Sequence, residues 1–66
     1  MNRIINIETG RRLLITKGKN DFISVGERGT IEDISHDNPY RIKLNVRFDD
    51  GKTLWIDNVN FTFEVY

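Results

Sequence analysis

Asp49 and Asp50 are adjacent carboxylates in this 66-residue chain, and paired carboxylates can divide acid and base roles between neighbouring side chains. Such a division needs surroundings that drive the two pKa values apart. Followed by Gly51, however, the pair has the composition of a hairpin tip, where Asp is favoured for turn geometry and solvation. His36 is of the residue type whose ordinary pKa lies nearest neutrality. It is the sole histidine and there is no cysteine, so it lacks the constellation that a catalytic or metal role needs. Gly26-Glu27-Arg28-Gly29 superficially resembles a phosphate-cradling loop but lacks the Lys-Ser/Thr and the helix that complete one, and it reads as a tight turn. No catalytic residue, metal ligand or cofactor is assigned, and the expected role is non-enzymatic.

Binding chemistry is better represented. Trp55 is the sole tryptophan. Turned outward, it would share a row with Arg41, Lys43 and Arg47, and an exposed indole beside guanidinium groups can stack on a base or anchor a protein contact. Arg11, Arg12, Lys17, Lys19 and Arg28 make a second basic set if the first loop folds near the Gly26 turn. Through Thr30 there are six Lys/Arg against three acids, a local excess of +3 that the remainder cancels to a net charge of zero. That cancellation weakens the case for broad attraction to nucleic acid or an anionic membrane.

These side chains must be positioned by strands, because the apolar residues alternate or cluster in short β-branched and aromatic runs, and no segment has a 3.6-residue period. Tyr40, Ile42, Leu44, Val46 and Phe48 form one side of the clearest strand, with Arg41, Lys43, Asn45 and Arg47 on the other. The next apolar run is Leu54-Trp55-Ile56, and loop length sets its facing. A two-residue Asp50-Gly51 turn would pair Val46 with Trp55 and bury the indole. A three-residue loop, with a type I turn over Asp49 and Asp50 and Gly51 left-handed in a bulge, pairs Val46 with Leu54 and Leu44 with Ile56. The second register is preferred because it buries two aliphatics and puts Trp55 outside, across from Asn45.

Upstream, Arg12 to Thr16 reads as a short strand and Lys17 to Asp21 as a loop whose return is anchored by Phe22, Ile23 and Val25. Thr30 to Ser35 is a strand with a bend or bulge, since Ile31 and Ile34 break strict alternation. His36-Asp37-Asn38-Pro39 reads as a turn, Asp57 to Asn60 as one helical or 3-10 turn, and Phe61 to Tyr66 as the closing strand. Residues 1–8 form an N-terminal arm or edge strand carrying Ile4, Ile5 and Ile7, and residues 9–66 the domain. At this size a single core buries only about 60% of the unfolded surface. No apolar run approaches a membrane-spanning length, and no signal segment is evident. A soluble cytoplasmic protein is expected, and the Ile- and Asn-rich composition without Ala or Gln hints at a low-GC bacterium or a phage.

Gly10-Arg11-Arg12-Leu13, the turn and strand from Val25 to Ile31, the hairpin from Val46 to Ile56 and the terminal Phe63-Glu64-Val65 together resemble the SH3-like small β-barrel. The KOW- and Tudor-like group found in small phage and bacterial proteins is the nearest in look. The resemblance implies an all-β, five-stranded barrel with a short 3-10 turn before the last strand. This fold hosts protein and nucleic-acid binders alike. Lys17-Gly18-Lys19-Asn20 departs from the acidic, aromatic first loop of proline-binding SH3 domains, and Trp55 alone does not make a methyl-lysine cage. The expected function is a protein-interaction adaptor or inhibitor of phage or bacterial origin, with a KOW-like nucleic-acid-binding protein as the alternative. A homo-oligomer through a barrel edge is also considered.

Overall fold

A computed structural model describes residues 7–18, 20–38 and 40–66, except the side chains of His36 to Asn38. Lys19 and the Ile4-Ile5 part of the expected arm lie outside the described residues. Five strands form, β1 (Arg12–Lys17), β2 (Arg28–Asn38), β3 (Arg41–Phe48), β4 (Thr53–Asp57) and β5 (Thr62–Val65). They make one antiparallel sheet in the order β4-β3-β2-β1-β5, so that the last strand returns beside the first. Among the described residues no helix forms.

One face of the sheet is apolar. Leu13, Ile15, Ile31, Leu44 and Val46 are wholly buried, joined by Phe48, Ile56 and Val65 and by Ile23 and Phe61 from the connections. Each such side chain contributes about 1.5–3 kcal/mol on leaving water. No second layer covers this face among the described residues, so the sheet itself must curve around it. Among the described residues the sheet does not close on itself: β4 and β5 end it.

The bulge expected near Ile31 and Ile34 is present. Ile31 opposes Val46 and Asp33 opposes Asn45, and the register shift between them returns Ile34 to the core side opposite Leu44. Gly29 lies opposite Phe48, where a side chain would meet β3 itself. The β3–β4 hairpin takes the three-residue loop. Gly51 has φ +98°, its N–H donates to the Phe48 carbonyl at 2.9 Å, and Phe48 N–H donates to the Lys52 carbonyl at 2.8 Å.

Several expectations are corrected. Residues 36–38 continue β2, and Asn38 pairs with Arg41: hydrogen bonding to β3 outweighs the turn preference of Asp and Asn. Tyr40 precedes β3 and is exposed rather than turned to the core. Of the three apolar residues expected to anchor the first loop, Ile23 alone is buried; Phe22 and Val25 are exposed. Asn20 orders that loop instead, its Oδ1 accepting from the N–H groups of Phe22 and Ile23, both at 2.8 Å. Leu54 is only half-buried, as an edge position allows. The single turn expected before β5 is present, but it closes with an i to i+4 bond, Phe61 N–H donating to the Asp57 carbonyl at 3.2 Å, and not in the 3-10 pattern. The Asp57 carboxylate accepts from the N–H groups of Val59 and Asn60.

Candidate functional site

The loop register turns Trp55 outward. Trp55 opposes Asn45, Thr53 opposes Arg47 and Asp57 opposes Lys43, so residues of odd number on β3 and β4 share the outer face. Trp55 is 51% exposed. Arg41, Lys43, Arg47 and Trp55 are thereby brought onto one face, in the arrangement expected for the first set. The cations there are interleaved with acids. Arg47 Nε lies 3.7 Å from Glu32 Oε1, with both side chains well exposed. Asp57 is held below its ordinary pKa chiefly by the Asn60 backbone N–H, and the Arg41 charge adds to the effect.

On this face, among the described residues, one enclosed side-chain polar atom has no partner. Asn45 Oδ1 is enclosed and accepts no hydrogen bond. An enclosed acceptor left unsatisfied costs about 1–3 kcal/mol, and here it occupies the position directly across from Trp55.

Of the second basic set, Arg12 and Arg28 come together on the outer face of β1 and β2, where both meet Asp49 and Tyr66. Arg11 lies 3.4 Å from Glu8. Arg12 donates to both oxygens of Asp49, at 2.7 and 2.8 Å, and to Thr30 Oγ1 at 3.1 Å. Arg28 donates to the Tyr66 hydroxyl and lies over its ring, 5.4 Å from the centroid. Lys17 ends β1 and is exposed.

Asp49 and Asp50 belong to a latch at the hairpin tip. The hydrogen bonds from Arg12 hold the Asp49 carboxyl below its usual range. Lys52 Nζ bridges Asp50 and Glu27 and lies 5.3 Å from the Phe48 ring centroid, and its hydrogen bonds lower both carboxyl pKa values. Glu27 also accepts from Ser24 N–H at 2.7 Å. The tip is thus tied to β1 and to the turn entering β2. Both carboxylates are kept ionised by partners, the opposite of the divided pair that acid-base chemistry requires. Sequence inspection missed this network because its members are distant in the chain; the bidentate fit of Arg to a carboxylate is visible only in space.

A groove of about 600 Å³ follows β5, with Ile7, Leu14 and Phe63 along it and Arg28, Glu64 and Tyr66 among its polar lining. Among the described residues no group of three His, Cys, Asp or Glu could hold a metal ion, and no helix is long and apolar enough to cross a membrane. Compared with known proteins, the chain matches no family model, no curated protein and no solved structure.

Proposed function

We propose that the chain is a protein-interaction module: a non-enzymatic adaptor or inhibitor of bacterial or phage origin, acting in the cytoplasm, whose open sheet curls into an SH3-like small barrel. The observation that carries the reading is the half-exposed Trp55 on the outer face of an edge strand. Tryptophan supplies large contact area at small entropic cost and is enriched among residues that dominate binding energy. The barrel is supported by the return of β5 to β1 and by an apolar face that one sheet has to enclose alone. A protein partner is favoured over nucleic acid because Arg47 has Glu32 nearby, Arg12 is bound to Asp49, and the chain has no net charge. Cations paired in this way are less able to displace counterions from phosphates.

The test is affinity capture from bacterial lysate on immobilised wild-type protein and on Trp55→Ala, read by mass spectrometry. A specific protein retained by the wild type and lost with the variant is expected, with the circular dichroism of the two chains superimposable. Equal capture by both would refute the assignment of Trp55. Salt-sensitive retention on single-stranded DNA or RNA, steep with ionic strength, would replace the reading with nucleic-acid binding.

A further inference from the structure

The hydrogen-bond phase of the β3–β4 hairpin fixes which backbone groups of β4 face the open edge. Phe48 bonds Lys52 at one end, and at the other Asn58 N–H donates to the Ile42 carbonyl at 3.2 Å while Asn58 Oδ1 accepts from Ile42 N–H at 3.1 Å. Bonded and non-bonded pairs alternate along an antiparallel ladder, so the bonded pairs in between are Val46–Leu54 and Leu44–Ile56. The N–H and C=O groups of Thr53, Trp55 and Asp57 therefore point away from β3. Of these, the Asp57 carbonyl is taken by Phe61.

Native sheets protect such edges with charge, proline, a bulge or brevity. The opposite edge follows that rule: β5 has four residues, carries Glu64, and its pairing with β1 is broken by a register shift between Ile15 and Lys17. In β4 the run Thr53-Leu54-Trp55-Ile56 carries no charge or proline, and its register with β3 is unbroken. Its outward-pointing residues, 53, 55 and 57, are disposed symmetrically about Trp55.

We propose that β4 pairs antiparallel with β4 of a second copy of this chain about a two-fold axis at Trp55, joining the two sheets edge to edge. The axis makes Trp55 and its counterpart a hydrogen-bonded pair, each N–H donating to the other's carbonyl, with Cα atoms about 5.5 Å apart. Thr53 then faces Asp57 of the second copy. The row that carries Arg47 beside Thr53 thus continues into Asp57 and Lys43 of the other chain, a self-complementary sequence of charges. Zero net charge leaves little repulsion between copies. The two indoles become neighbours on one outer face, flanked from both sides by Arg47 and Lys43, so the contact surface proposed above doubles. This inference rests on that reading only for the use of the surface, not for the pairing itself.

Five paired residues bury less than a standard interface, so the association is weak, with a dissociation constant on the order of 100 µM. Sedimentation equilibrium and amide exchange by NMR, from about tenfold below to tenfold above that concentration, test it on the intact chain. The weight-average mass is expected to climb from 7.8 kDa toward twice that value. Exchange of the Thr53 and Trp55 amides is expected to slow several-fold over the same range, while Leu54 and Ile56, already bonded to β3, stay unchanged. Trp55→Lys sets like charges opposite each other and is expected to remain a monomer with an unchanged fold; Trp55→Phe, which keeps the backbone and loses no charge balance, still pairs. A wild type that stays at 7.8 kDa throughout, or a Trp55→Lys chain that associates as strongly, overturns the proposal. If a monomeric wild type still captures its protein through Trp55, self-pairing alone has failed. If the chain pairs but captures nothing, the interaction reading has failed instead.

Discussion

Replacing Gly29 with alanine isolates the tightest point between β2 and β3. A Cβ there would come within 2.5 Å of Val46 Cγ1, 2.8 Å of the Arg47 carbonyl oxygen and 3.1 Å of Phe48 Cα. The backbone of Gly29 is not left-handed, so alanine can adopt it, and loss of unfolded-state freedom would by itself stabilise by about 0.4–1 kcal/mol. The contacts oppose this. Val46 is wholly buried and β-branched, so its methyl has no space to turn into. The other two contacts are β3 backbone and can be relieved only by spreading the strands. Overpacking of this kind costs about 1–3 kcal/mol, leaving a net loss of about 1–2 kcal/mol. For a domain of this size that lowers the melting temperature by roughly 5–15 °C. Urea unfolding followed by far-UV circular dichroism measures it, with the midpoint shifted and the m-value unchanged. A Gly29→Ala chain within about 0.5 kcal/mol of wild type would refute the argued closeness of β2 and β3.

Asn45→Val removes the enclosed amide oxygen and adds a strand-favouring side chain, and is expected to raise stability by about 1 kcal/mol in the same assay; destabilisation would mean that Oδ1 is satisfied. Gly51→Ala meets no neighbouring atom but keeps φ at +98°, so a loss of about 1–2 kcal/mol is expected from backbone strain alone. Acid titration of stability reports the latch. Asp49, Asp50 and Asp57 are held below an ordinary 3.8 and Glu27 below 4.5, so their stabilisation is complete above those values and drains as pH falls through the lower folded ones. Asp49→Asn is expected to lower stability at neutral pH and to flatten the acid limb; an unchanged limb would remove Asp49 from the latch.

Local signals carried much of the fold. Alternation from Ile42 to Phe48 marked β3 and its buried side, and the burial of Leu54 and Ile56 favoured the bulged loop with Trp55 outward over the two-residue Asp50-Gly51 turn, a preference that the observed register bears out. The misplacements share one cause. Phe22 and Val25 are apolar yet exposed, and residues 36–38 look like a turn yet extend β2, because burial and ladder bonding depend on where distant strands lie. The basic residues show it most clearly: Arg12 and Arg28 are as cationic in the sequence as Lys43, and only space reveals that Asp49 and Tyr66 hold them.

By itself, the sequence marked an all-β chain, a hairpin at Asp49-Asp50-Gly51 with two possible registers, and an inventory of one histidine and no cysteine. These follow from side-chain period, turn dihedrals and residue inventory, all of them properties of neighbours along the chain. The tertiary structure decided the strand order, the return of β5 to β1, the latch at the hairpin tip, the choice between the two hairpin registers and the place of β4, whose Thr53-Leu54-Trp55-Ile56 run is uncharged, at the edge of the sheet. Each depends on which residues far apart in sequence meet, and hydrogen-bond phase and ion pairing are set by that meeting rather than by composition.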